Sequence, residues 1–151
     1  MHRILAAEIL NPIEETAARE SRASGLLEAF DLLENLAPKE VLNTVDRYRA
    51  IVGERFQPRS ESIEVPFTYC NEVGQRLSGF VDHLLETGRG PVILDHKIFP
   101  GKREDWAEKA LSYSGQLAAY ADVLATGAPA RIYIHLVTAG ALIEVLLPMV
   151  N

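Results

Sequence analysis

A chain of 151 residues, 48% hydrophobic and 24% charged with a formal net charge of −6, is long enough for one soluble domain with a core. Cys70 stands alone, which excludes an internal disulfide and a cysteine-built zinc site. No apolar run approaches the about 18 residues of a transmembrane span, and the acidic balance is not that of a freestanding nucleic-acid-binding domain, which is usually basic.

Met1 to Ala7 holds no signal-peptide core and cleavage site, so a reducing cytoplasmic compartment is the expectation. No internal repeat or low-complexity tract interrupts the chain. His2 to Leu10 has helical character and ends at Asn11-Pro12. Its abrupt start suggests a domain excised or trimmed from a larger protein. Ile13 to Leu36 is rich in Glu, Ala, Arg and Leu. There Leu26, Phe30 and Leu33 recur at helical spacing as one expected buried stripe. The charges Glu14, Glu15, Arg19, Glu20 and Arg22 read as a solvated face. Pro38 suits the first turn of a further helix, in which Val41, Val45, Tyr48 and Val52 form a second stripe running to about Phe56. Residues 1–58 are thus expected to be a helical layer covering one face of a sheet.

From Ser62 the period becomes two. Ile63, Val65, Phe67 and Tyr69 alternate with Glu64, Pro66 and Thr68. Pro66 argues for an edge strand or a bulge. A turn at Asn71-Glu72-Val73-Gly74 leads to strands at Arg76 to Leu85 and Val92 to Phe99, joined through Gly88–Gly90 as a hairpin. Each of these strands carries one Asp among apolar neighbours. A half-buried carboxylate is costly unless it is paired or holds a metal. Asp95 and Lys97, two apart, share a face. Asp82, on the face expected for Phe80 and Leu84, can lie beside Asp95 when the hairpin closes. Two carboxylates and one ammonium would then converge. That suits metal-assisted phosphodiester cleavage, with Mg²⁺ on hard oxygens and a Lys acting on water or on the transition state. A structural Asp–Lys pair at a strand end is the competing reading of the triplet alone.

Pro100 to Arg103 ends the meander, and a long helix is expected from Asp105 to Ala125, stopped by Gly127. Lys109, Tyr113, Gln116 and Tyr120 share one face of it; Leu111, Ala118, Ala121 and Leu124 form the stripe expected against the sheet. Strands at Arg131 to Val137 and Ala141 to Leu147 follow, with a turn at Thr138-Ala139-Gly140 and Pro148 behind. His83 and His96 are expected to point away from the carboxylates and to be structural, two histidines being a poor zinc site. His135 reads as a hydrogen-bonded core residue. Trp106 and Phe99 flank the basic Lys102-Arg103; Trp106 as an anchor of the helix start is favoured over a DNA-contacting patch.

Taken together, Gly79-Phe80-Val81-Asp82, then Ile93-Leu94-Asp95-His96-Lys97, then Gln116-Leu117-Ala118-Ala119-Tyr120 resemble the RecB-like nucleases of the PD-(D/E)xK superfamily. Those proteins read Gly-x-x-Asp, Asp-x-Lys and Gln-x-x-x-Tyr in that order. Glu64-Val65-Pro66-Phe67 resembles their first strand and His2-Arg3-Ile4-Leu5-Ala6 their first helix, so the resemblance spans nearly the whole chain. It implies a single 1–151 nuclease domain of α/β class: a restriction-endonuclease-like mixed sheet of four or five strands, with a three-strand meander and a helix crossing to the fourth. It implies that His2, Asp82 and Asp95, with the backbone carbonyl of His96, ligate Mg²⁺ or Mn²⁺. Lys97 would be the catalytic lysine, and Glu64, Gln116 and Tyr120 would support the site or position the phosphate. DNA is the implied partner, with a helicase attached or associated in repair or recombination, and no membrane. The glycine-containing lead-in that precedes the family's histidine has no counterpart before Met1. One cysteine excludes the iron–sulfur cluster of some relatives. The alternative is a non-catalytic binding or scaffolding module that keeps the fold; two like charges buried together count against it.

Overall fold

The computed structural model describes residues 1–70, 73–74, 76–124 and 129–146. They divide into two compact units, Met1–Arg55 and Phe56–Asn151. The first is helical: α1 (His2–Leu10), α2 (Thr16–Glu28) and α3 (Pro38–Phe56). Glu15 caps α2, its carboxylate accepting the N–H groups of Ala17 and Ala18. On α3 the stripe Val41, Val45, Tyr48 and Val52 is buried as expected.

The α2 stripe is not as the sequence suggests. Ala23 and Leu27 are buried, whereas Phe30 is 54% and Leu33 40% exposed. The helix stops at Glu28 because Asp31 takes a left-handed φ of 54°. The N–H of Asp31 then bonds to the carbonyl of Glu28, and that of Leu32 to the carbonyl of Leu27. This is the Schellman closure. Beyond it Phe30 and Leu33 no longer follow helical spacing. Nor are Arg19 and Arg22 a solvated face. Both bind Glu8, a buried carboxylate on α1; Arg19 Nε lies 2.7 Å from Glu8 and its Nη2 2.7 Å from Asp46 on α3. Hydrogen bonding to Asp46, ahead of the contribution of Glu8, raises the pKa of Arg19.

The second unit is a five-stranded sheet in the order β1 (Ser60–Cys70), β2 (Arg76–Thr87), β3 (Gly90–Lys97), β4 (Arg131–Leu136), β5 (Ala141–Val145). Neighbours are antiparallel except β3 and β4, which are parallel. A parallel pair needs a crossover. Here it consists of a 3₁₀ turn at Arg103–Asp105, α4 (Trp106–Leu111) and α5 (Ser114–Leu124). The mixed sheet, meander and crossover match the expected architecture. Pro66 lies on β1, an edge strand, where its missing donor is tolerated. The β2–β3 turn is tight: Thr87 pairs with Gly90, whose φ is 97°. Asn71 and Glu72 of the preceding turn, the expected helix end at Ala125 and Gly127, and Leu147 and Pro148 lie outside the described residues.

Two local departures shape the site. The long helix is interrupted: Ser112 Oγ donates to the carbonyl of Lys109 at 2.7 Å, and the Tyr113 N–H bonds back three residues, to Ala110. A serine that bonds its own helix backbone competes with the regular ladder. The break turns Leu111 outward, 66% exposed, and leaves Ala110, Leu117, Tyr120 and Ala121 as the buried contacts. The strand alternation also breaks once. Val81 and Leu84 both pack in the core with Leu117 and Tyr120 of α5, although residues an odd number apart should face opposite sides. The break coincides with Glu64, where φ is 51°. The ladder passes from Ile63↔His83 to Val65↔Val81 and omits the pair between them, Glu64 and Asp82. Phe80 therefore does not share the face of Leu84, and is 61% exposed.

Candidate active site

β3 is the centre of the sheet, and Val92 through His96 are all buried. Such a strand has no room for an idle charge, yet Asp95 is 3% exposed. Its Oδ2 is 2.7 Å from Lys97 Nζ, two residues along the same face. The β2–β3 ladder runs Leu84↔Ile93, then His83↔Leu94. One further step in this register sets Asp82 opposite Asp95. There the strands stop pairing and the Asp82 carboxylate takes over: its Oδ2 accepts the backbone N–H of His96 at 2.7 Å. In an extended strand the N–H and C=O of one residue face the same neighbour. The His96 carbonyl thus lies on the β2 side as well.

α5 brings the remaining groups. Gln116 Nε2 donates to the Tyr120 hydroxyl. Tyr120 is buried, its ring 4.6 Å from that of Phe67. Its pKa is raised, first by burial, then by the negative charges of Asp95 and Asp82, against the lowering effect of Gln116. The phenol therefore keeps its proton at neutral pH and stands within the field of both carboxylates.

Asp82, Asp95, Lys97, Gln116 and Tyr120 are thus brought together on one face of the sheet. Glu64 is opposite Asp82 in register, with an exposed side chain. His96 joins through its backbone only; its ring lies on the opposite face, Nδ1 3.0 Å from Nδ1 of His135. His83 follows on that face, 6.4 Å from the His96 ring and hydrogen-bonded to Glu61 at 3.0 Å. Both rings point away from the Asp82 and Asp95 carboxylates, as expected. His2 begins α1 in the other unit and is exposed. Trp106 Nε1 donates to the Gly101 carbonyl at 3.4 Å and packs on the core, as an anchor of the helix start.

Among the described residues, no group of three His, Cys, Asp or Glu side chains is arranged to hold a metal. Two carboxylates beside a backbone carbonyl nevertheless fit a hard divalent ion such as Mg²⁺, which keeps several waters and binds through one or two carboxylates and substrate phosphate.

Sequence reasoning did not assign a role to Tyr113, although its ring lies beside the site. Lys97 Nζ is 4.9 Å and Lys109 Nζ 5.1 Å from the centre of that ring. The helical spacing of Lys109, Tyr113 and Gln116 was the available signal; the broken helix makes it a contact with Lys97.

Comparison with the curated proteins finds none that matches. No helix among the described residues is long and apolar enough to cross a membrane. The family model described as the PD-(D/E)XK nuclease superfamily, a family of nucleases that generally use divalent metals, matches residues 1–146. With the mixed sheet and the two opposed aspartates, that match over nearly the full length establishes that this chain belongs to the PD-(D/E)XK nuclease superfamily.

Proposed function

We propose that residues 1–151 act as one RecB-like nuclease domain that hydrolyses DNA phosphodiester bonds with Mg²⁺ or Mn²⁺, as the nuclease module of a helicase–nuclease repair or recombination system. The observation that carries this reading is the opposition of Asp82 and Asp95 across two adjacent strands, with Lys97 on Asp95 and the Tyr120 hydroxyl in the field of both. The Gly79/Asp82, Asp95/Lys97 and Gln116/Tyr120 pattern supports the RecB-like assignment. The net charge of −6 supports a partner that supplies DNA affinity.

In this reading Asp82, Asp95 and the His96 carbonyl would hold the ion. When bound, such an ion neutralises charge on the phosphate and lowers the pKa of a coordinated water. Lys97, fixed by Asp95, orients the attacking water and offsets charge developing on the phosphate oxygens. Tyr120 remains a neutral hydrogen-bond donor, aligned by Gln116. Glu64, set opposite Asp82, supports that carboxylate from β1.

The test incubates the purified chain with end-labelled single-stranded and duplex DNA, with Mg²⁺, with Mn²⁺ and with chelator, beside Asp82→Asn. Metal-dependent cleavage lost in the variant is the expected result. DNA binding with no cleavage by the wild type would favour the non-catalytic module instead.

A further inference from the structure

Beside the proposed site lies a depression of about 360 Å³ lined by Phe99, Asp105, Glu108, Lys109 and Ser112. Lys109 is its cation, and its setting is unusual. Asp105 is one helical turn away and Glu108 is adjacent, yet among the described residues the Lys109 ammonium makes no ion pair or hydrogen bond. It is held instead by two rings, 5.8 Å from the centre of Phe99 and 5.1 Å from that of Tyr113. Lys97 Nζ stands 4.9 Å from the same Tyr113 ring. The two ammonium groups are therefore separated by no more than the sum of those last two distances. That bound allows the two groups to meet neighbouring phosphates of one nucleic-acid strand.

We propose that Lys109 and this depression form a subsite for the nucleotide next to the scissile phosphate, with its phosphate on Lys109 and its unpaired base against Phe99. The inference rests on the nuclease reading and specifies its substrate as a single strand at that position. Lys97 already pairs with Asp95, whereas Lys109 has no carboxylate partner among the described residues, so a phosphate would supply the anion that Lys109 lacks. A strand passing from Lys97 to Lys109 supplies one phosphate to each. The acidic lining would oppose a second phosphate within the depression, but it suits a base. Carboxylates accept the exocyclic amino hydrogens of cytosine or adenine, whereas thymine has no such group. An aromatic wall stacks any base. A base held in this way cannot stay paired in a duplex, so the flanking nucleotide must be unpaired. The depression is also tied to the fold. Phe99 leans over Gly101, where an added Cβ would come within 2.1 Å of the ring.

The experiment measures binding of labelled oligo(dC), oligo(dT) and a mixed-sequence duplex by anisotropy, over a range of salt, with chelator present so that no strand is cut. The wild type is compared with Lys109→Met, which keeps the stem over the rings, Lys109→Arg, which keeps the charge, and Glu108→Ala. The expected result for Lys109→Met is about tenfold weaker binding of oligo(dC) and a salt slope reduced by about 0.7, one phosphate on a single strand. Lys109→Arg restores the slope. Oligo(dC) binds more tightly than oligo(dT), and Glu108→Ala narrows that difference. In cleavage assays Lys109→Met raises KM with kcat unchanged. An unchanged salt slope in Lys109→Met, or a duplex bound as tightly as oligo(dC), overturns the subsite while wild-type cleavage leaves the nuclease reading standing. A wild type that neither binds nor cuts DNA overturns both.

Discussion

The carboxylate of Asp82 accepts the backbone N–H of His96 at 2.7 Å, so the acid of one strand is bonded to the strand that carries the other acid. This contact forms where the β2–β3 ladder ends, one register step beyond His83↔Leu94. It holds Asp82 against β3 beside Asp95 instead of letting two like charges splay apart. The same contact fixes the residue whose carbonyl is proposed as a ligand.

Lys97 is the partner of a buried charge. Removing it as Lys97→Met is expected to cost about 3 kcal/mol without metal, because Asp95 would be left uncompensated. Added Mn²⁺ should recover much of that loss, since a divalent ion replaces the missing positive charge. Thermal unfolding with and without Mn²⁺ reads both effects. Cleavage should fall about 10²-fold or more with metal present. A variant as stable as the wild type without metal would show that the pair carries no such load.

Glu8 anchors the helical unit through Arg19 and Arg22. Glu8→Ala is expected to destabilise by about 3 kcal/mol, as expected when one partner of a buried ionic cluster is removed. Asp46→Ala should cost less, because its carboxylate is 52% exposed and screened. Urea denaturation of both variants gives the comparison, and equal losses would contradict it.

Glu64 holds a left-handed backbone that costs a non-glycine residue about 1 kcal/mol. Glu64→Gly is therefore expected to unfold at a higher temperature and yet cleave more slowly, with the carboxylate opposite Asp82 gone. Lower stability would contradict that strain, and full activity would remove Glu64 from the site.

Tyr120 has a pKa raised above the ordinary value of 10.0 by burial, then by Asp95 and Asp82. A phenol whose pKa is higher in the folded state contributes stability that is fully present below the unfolded value, near pH 10. That contribution is lost as pH rises through the folded value. Tyr120→Phe should therefore flatten the loss of stability above pH 10 while changing little at pH 7. Phenolate absorbance during alkaline titration should lose one component that titrates above the ordinary value in the variant.

Much of this architecture can be read from local chemistry. Period-two alternation and turn glycines place β1 to β3, and the order of Asp82, Asp95, Lys97, Gln116 and Tyr120 marks the candidate site. Those features depend on residue type and spacing along the chain. Others do not. The stripe through Phe30 and Leu33 fails because Asp31 closes α2 early, a backbone choice that helical spacing does not encode. Arg19 and Arg22 look solvated until Glu8, distant in sequence, is brought to them.

By itself, then, the sequence determined which residues carry charge, where strands alternate and which acids can meet across a hairpin. Only the tertiary structure decided that Asp82 turns to the His96 amide, that the strand parity breaks at Glu64, and that Lys97 and Lys109 share the ring of Tyr113. Each of these depends on a strand twist or a helix interruption set by packing between distant segments. A side-chain periodicity of 2.0 or 3.6 holds only while the element stays regular.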